Sequence, residues 1–339
     1  MNHLVLLFLS CTLFLFTSCC RDPYDVNLDD VKIELRFYDA DSLLSSQNPR
    51  TYLEVRNALK SMDNDVYGYL FGYCYRIPVQ PDSAFLRGMG LIYNDPYVKA
   101  LEQEINQKFA ASRAKHHVKL FESCQRMKAL LPAIESPQNI IWANSAFTSS
   151  IFCSKKSMVI GLERYLGARS KSIQKLPSNQ FYEWIKEGME ERFLVRDAVL
   201  GWLNTHALDE TKESYAEEMM RWGKLLYIAQ KLLPDQSPSV ILRYSNKDYS
   251  WALASEWAVW KYLVDEQLLY DRSEETKQSL LHEGPFTRGL PQESPDRLGQ
   301  FLGYRIVEQY VEQHKPSLEK LLKVPYLTLL QAYEAPEKQ

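Results

Sequence analysis

The sequence predicts an α+β protein that is predominantly α-helical, with a few short strands and a single domain. Three observations set that class. Apolar residues recur at steps of three and four over much of the chain, most clearly from Tyr215 to Tyr270. Alternation of apolar and polar residues, the signature of a half-buried strand, is confined to the run from Val31 to Tyr38. No repeat, low-complexity segment or long linker divides the 339 residues, a length that supports one large core.

Composition agrees with a folded body: 45% of residues are apolar and 12% aromatic. Forty basic residues stand against 43 acidic ones, a net charge of -3, with no basic stripe of the kind that neutralises phosphates. Nucleic acid is not an expected partner.

Residues 1–18 read as a signal peptide, because the apolar run from Leu4 to Phe16 is too short to span a bilayer. Small residues follow it in Phe16-Thr17-Ser18-Cys19, which resembles a bacterial lipobox and makes Cys19 the lipidation site, with Cys20 the alternative. Several acyl chains on one residue give stable membrane anchoring where a single chain holds marginally. Residues 19–30, polar and containing Pro23, then form a tether, and the folded domain spans 31–334. With Cys19 modified, Cys20, Cys74, Cys124 and Cys153 remain in a compartment that permits disulfides. Spacing leaves their pairing open, and separately buried thiols fit equally well.

Within the domain, the strand at 31–38 precedes two helices, near Thr51 to Met62 and Asp65 to Tyr75. The second is rich in alternating aromatics and could instead be a strand. Asn94-Asp95-Pro96 starts one long helix from Tyr97 to Leu131, with Leu101, Ile105, Phe109, Val118 and Phe121 inward. His116 and His117 on it point about 100 degrees apart, poorly placed to grip one ion, and read as solvated or capping. Asn139 to Ala143 and Ser157 to Leu162 look like strands, and helix resumes from Asn179 to Thr205.

The Tyr215–Tyr270 stretch predicts two helices. The first lines one face with Tyr215, Met219, Trp222, Leu226, Ala229 and Leu233 and stops at Pro234. The second is capped by Ser245 with Asp248 three residues on, and apolar residues surround most of its cylinder, which predicts a buried helix. Glu256 shares a face with Ala252, Val259 and Leu263 and needs a partner: either an Arg or Lys of a neighbouring helix, or a ligand in a cleft. Glu274 to His282 forms a small helix, and Ser294-Pro295 caps the last long one. Gly299 and Gly303 share a face there, inviting close approach by another helix.

No chemistry-bearing motif is present. The histidines at 3, 116, 117, 206, 282 and 314 contain no pair one turn apart, and the chain has no CxxC, no Gly-x-Ser-x-Gly elbow, no Walker loop and no dinucleotide fingerprint. No cofactor, metal ligand or catalytic residue is therefore assigned. The alternative, a peptide or cell-wall hydrolase, would need dispersed carboxylates such as Glu163, Asp197, Glu218 and Glu256 to converge.

Set side by side, several segments resemble the GldB family of gliding-motility-associated lipoproteins of Bacteroidetes-type bacteria. They are Lys32 to Tyr38, Ile160-Gly161-Leu162-Glu163 with Tyr165-Leu166-Gly167, Gly223-Lys224-Leu225-Leu226-Tyr227 with Leu232-Leu233-Pro234, and Glu256 with Trp260. Leu269-Tyr270 and Ser294-Pro295-Asp296-Arg297-Leu298-Gly299, followed by Gly303, Ile306, Val307 and Tyr310, complete the order. Glu163 stands where the family more often has Asp. The resemblance implies a non-enzymatic lipoprotein supporting gliding or the type IX secretion machinery, whose components would be its partners. Cys20, Arg21 and Asp22 lack the acidic cluster associated with surface export in these bacteria, implying a periplasm-facing domain. The family in turn looks like a relative of predicted zinc peptidases, implying a zincin-like helical body. Their metal motif would fall near Arg196-Asp197-Ala198-Val199-Leu200 and their acidic ligand near Trp222, residues that cannot hold zinc. A degenerate cleft lined by Arg196, Asp197, Trp222, Lys224, Glu256 and Trp260 is the implied remnant. Read from the residues alone, Trp222 is plain core and Arg196-Asp197 a solvated pair.

Overall fold

A four-stranded sheet divides the molecule into two helical layers. The structure, a computed structural model, describes residues 22–209 and 214–336. The expected signal peptide, residues 1–18, and the expected lipidation sites Cys19 and Cys20 lie outside the described residues.

β1 (Arg36–Asp39), β2 (Asn139–Ala143), β3 (Ile151–Cys153) and β4 (Ser157–Gly161) are arranged in the order β1-β2-β4-β3. β1, β2 and β4 run parallel, Phe37 opposite Ile140 and Ile141 opposite Val159, while β3 returns antiparallel on β4. β2 and β4 are buried throughout, as parallel strands covered on both faces must be. Their pleat sends Ile140, Trp142, Met158 and Ile160 into the larger core and Ile141, Ala143 and Val159 into the smaller one.

The smaller core is closed by α1 (Ala40–Ser45), α2 (Pro49–Met62), α3 (Asn64–Tyr67) and α4 (Asp82–Asn94). After α3 the chain does not become a strand. It continues as a π-helical stretch, Gly68–Cys74, whose wider turn accommodates the run of aromatic residues and ends with the Tyr75 amide on the Leu70 carbonyl. The expected long helix is two, α5 (Pro96–Phe109) and α6 (Arg113–Leu130). The inward row Leu101, Ile105, Phe109 meets only Ser112 and Arg113 at its next steps, so nothing apolar holds a straight continuation on the core. α6 resumes with Leu120, Cys124 and Met127 inward, and Val118, expected inside, is 56% exposed.

Beyond β4 come α7 (Lys171–Gln174), α8 (Glu183–Glu187), α9 (Leu194–His206) and α10 (Tyr215–Leu232), then α11 (Pro238–Ile241), α12 (Asn246–Ala254) and α13 (Glu256–Asp265). α14 (Glu274–Leu281), α15 (Leu298–His314), α16 (Leu318–Lys323) and α17 (Tyr326–Gln331) complete the chain. The centre of the larger core is α10 against α15. A Cβ on Gly223 would collide with the Gly303 backbone, and one on Gly303 with the Met219 carbonyl, so these glycines let the two backbones touch.

Several expectations fail. The helix foreseen from Ser245 onward breaks at Ser255, where the backbone tightens and the Ser255 amide reaches the Ala252 carbonyl. Neither piece is buried all round: Ala252, Glu256, Val259 and Leu263 face inward, whereas Leu253 and Val264 are 39% and 46% exposed. Ser294 does not cap α15, because the helix starts from Arg297 at φ 52 and its Leu298 amide donates to Thr287 Oγ1 at 3.3 Å. The strand of 31–38 narrows to β1; residues 31–35 keep the alternating burial but no ladder.

Of the segment foreseen as a tether, residues 22–30 are described, and most of them are exposed. Tyr24 is buried in the larger core and donates from its hydroxyl to the Pro316 carbonyl at 2.6 Å. Cys74, Cys124 and Cys153 are free thiols, so none of these three is bonded to another.

Candidate functional site

The carboxyl edge of the parallel strands is where polar side chains gather. β4 ends at Gly161, where a Cβ would sit 2.5 Å from the Ser149 carbonyl oxygen and 2.8 Å from Ser145 Oγ, so only glycine lets the loop after β2 close down. The 3-10 turn Leu162–Tyr165 then sends three consecutive side chains three ways. Glu163 enters the 144–149 loop, where its Oε1 accepts from the amides of Ser145 (3.1 Å) and Phe147 (2.8 Å) and from Ser145 Oγ (2.5 Å). These bonds hold Ala146 and Phe147 at φ 51 and 59, a left-handed backbone that non-glycine residues seldom adopt. Burial nevertheless raises the Glu163 carboxyl above its ordinary value, outweighing those donors.

In the same region Asn144 Nδ2 donates to Glu102 Oε1 at 2.7 Å, and Asp41 is fully buried nearby. Burial pushes Asp41 well above the usual carboxylate range, with Glu102 and Asp39 adding to it and Arg113 opposing. Burial likewise raises Glu102 to about 7. Both buried carboxyls therefore resist ionisation, the fully buried Asp41, the weaker acid of the two, more strongly than Glu102.

Arg164 and Tyr165 lead to a charged pocket of about 470 Å³. Arg164, Phe193, Arg243, Glu283, Asp296 and Arg297 are among its walls. Arg243 Nη1 bonds Glu283 Oε1 at 2.5 Å, Arg297 Nη2 bonds Asp296 Oδ1 at 3.1 Å, and Arg297 Nη1 lies 3.6 Å from Glu283. Beneath them Asp197 accepts from Tyr165 Oη (3.1 Å) and from Arg196 Nη1 (2.9 Å) and faces Arg243 Nε at 3.6 Å. Burial raises the Glu283 carboxyl, but Arg297 and Arg243 outweigh it and hold the group below its ordinary value. Burial lowers the Arg297 guanidinium in the same way, and Asp296 and Glu283 more than restore it. Buried charges are thus matched one against another, and the buried Ser294 Oγ on the pocket wall has no hydrogen-bond partner. The Ser245–Asp248 contact at the rim is the capping box of α12, and among the described residues no histidine lines the pocket. Such an arrangement holds charged groups in fixed positions.

The six residues expected to share one cleft are found in several places. Arg196 and Asp197 lie together under the charged pocket; Arg196 is buried, its Nε donating to the Ile241 carbonyl at 2.5 Å, Asp197 is partly buried beside it, and they are not a solvated pair. Lys224 on α10 donates to the Leu322 and Val324 carbonyls at 3.0 and 2.6 Å, capping the end of α16. Burial there lowers its ammonium to about 8. Glu256 takes the structural partner foreseen for it: Arg305 Nε and Tyr333 Oη each reach it at 2.9 Å. Trp260 stands edge-on to Tyr333, 5.1 Å between centroids. Trp222 is partly buried beside the Arg221 guanidinium and is not plain core. The hydrolytic alternative fares similarly, since Asp197, Glu218 and Glu256 each pair with a different arginine. His116 and His117 are not solvated either. His116 Nε2 meets Glu191 at 2.9 Å, while His117 accepts from Trp142 Nε1 at 2.8 Å and stacks on Phe37. Among the described residues, no group of three or more His, Cys, Asp or Glu is placed to hold a metal ion.

Two of the segments compared above, 160–167 and 294–299, meet at this pocket. The model of the gliding motility protein GldB matches residues 21–334. The chain belongs to the GldB family. No curated protein and no solved structure matches it. The GldB match covers both cores and the sheet between them, so the pocket and the carboxylate cluster both belong to the family domain. Reading the sequence missed Asp41, Glu102, Arg243 and Glu283, which come from distant segments and carry no spacing signal. Asp296-Arg297 stood inside a quoted segment and could have been named.

Proposed function

We propose that this GldB-family chain is a non-enzymatic, lipid-anchored lipoprotein of the cell envelope, facing the periplasm, that supports assembly or operation of the gliding and type IX secretion machinery. The observation that carries the reading is the family match over residues 21–334. The lipobox-like Phe16-Thr17-Ser18-Cys19 directly precedes the matched region, and the chain lacks the one-turn histidine pair that zinc hydrolases need. A zincin-like ancestry belongs to the same proposal: at the positions where its ligands would fall, Arg196 is committed to the Ile241 carbonyl and Trp222 offers no donor to a metal.

A clean chromosomal deletion, complemented by the intact gene and by Cys19→Ala, tests it. Loss of secretion, and of colony spreading in a gliding host, restored by the intact gene alone, is expected. Unaffected secretion and motility in the deletion strain would overturn the reading.

A further inference from the structure

We propose that residues 22–30 act as a clamp that seats the body on the lipid surface in one orientation, with the end of α10 and the α15–α16 turn apposed to the headgroups. The inference rests on lipidation of Cys19 or Cys20 and goes beyond it. A free tether would let the domain swing; the observed contacts do not. Asp22 carboxylate faces Lys231 Nζ at 3.4 Å, and that ammonium lies over the rings of Tyr24 and Tyr227 at 5.2 and 5.3 Å. Tyr24 is buried against Tyr227 and bonded to the Pro316 carbonyl. Farther along, Gln125 Nε2 donates to the carbonyls of Leu28 and Val31 at 2.9 and 2.7 Å, and Lys128 Nζ to that of Lys32 at 2.7 Å. The segment is therefore fixed at both ends.

Chain length supplies the second half of the argument. Two residues, Cys20 and Arg21, separate Cys19 from Asp22, and three steps of 3.3–3.6 Å reach at most about 10 Å. An acylated Cys19 sits at the headgroup level, so the docked Asp22–Lys231 corner is held at the membrane as well. Exposed residues sharing that corner are Pro234 and Asp235 after α10 and His314 and Lys315 at the end of α15. α15 then works as a strut. Its far end is Arg297 at the charged pocket, and its 17 residues span about 25 Å at 1.5 Å per residue. The pocket is carried away from the lipid, toward whatever the envelope presents.

The test uses the full-length chain produced in a bacterium that processes lipoproteins, in a Cys153→Ser background, with Cys20→Ser added only where intact mass shows that Cys19 carries the acyl chains. An environment-sensitive fluorophore is placed at Gln313→Cys, near the clamp, or at Glu293→Cys, on the pocket rim. The protein is reconstituted in phosphatidylethanolamine vesicles carrying a nitroxide on the headgroup. Intact mass and flotation are read first: a chain without acyl groups that stays in the soluble fraction removes the anchoring premise and the proposal with it. With acylation and flotation in place, the label at 313 is expected to lose most of its emission and the label at 293 little. Adding Asp22→Ala and Tyr24→Ala should erase that difference while leaving flotation intact. Equal quenching at both sites, or a difference that survives the double substitution, overturns the clamp and leaves the lipoprotein reading standing.

Discussion

Asp41 and Glu102 show what a single side chain can cost this fold. A carboxyl whose folded value lies above its unfolded one binds its proton more firmly when folded, so its stabilising share is complete below the unfolded value and is lost as pH rises. For Glu102 that window runs from about 4.5 to about 7, a shift on the order of 3 kcal/mol. Urea unfolding at pH 5 and pH 8 should show the wild type weaker at the higher pH, and Glu102→Gln should remove most of that slope; an unchanged slope contradicts a raised Glu102 carboxyl. The Lys224 ammonium, lowered to about 8, acts above this window and in the opposite sense, adding stability as pH climbs past it. Glu256→Gln strips the charge from Arg305 and Tyr333 and is expected to cost about 1–3 kcal/mol by denaturant midpoint, with the native circular dichroism kept. The thiols make a third expectation. Burial pushes Cys124 and Cys153 up to about 12, so in the native protein these two should resist a thiol-disulfide reagent and react only on unfolding.

Helix pairing depends on which positions are left bare. Gly303→Ala gains roughly 1 kcal/mol of helix propensity, yet its methyl group would strike the Met219 carbonyl. Prising α15 from α10 is expected to outweigh the gain by about 1–3 kcal/mol, readable as a lower melting temperature; a more stable variant would show that the helices have slack. The sequence announced half of this contact, because Gly299 and Gly303 share a face, but not that Gly223 answers Gly303 across the interface while Gly299 meets Tyr215 and Leu280. α10 was legible end to end, from its apolar stripe to Pro234. α12 and α13 were not: their apolar residues occur on several faces, and periodicity cannot say which face the rest of the chain covers. Glu256 with Ala252, Val259 and Leu263 turned out to be that face, picked by Arg305 and Tyr333 from far along the chain.

At the scale of the molecule, the two cores share β2 and β4, whose alternate side chains fill both. Heating should therefore melt the domain in one transition, with calorimetric and van't Hoff enthalpies in agreement; two resolved transitions would mean that the sheet does not couple the layers. Fold class followed from the helical periodicity and from two of the central strands, 139–143 and 157–161. The charged pocket and the carboxylate cluster stayed hidden because each is assembled from segments that only the tertiary fold brings together. Pairing of β1 with β2 also sets an order of events. Arg36 finds its place beside Asn139 only after the whole of α1–α6 has been synthesised, so an emerging chain has no sheet to build on. Its first strand must wait, edge exposed, until β2 arrives, a stage at which an escorting chaperone would find most to hold.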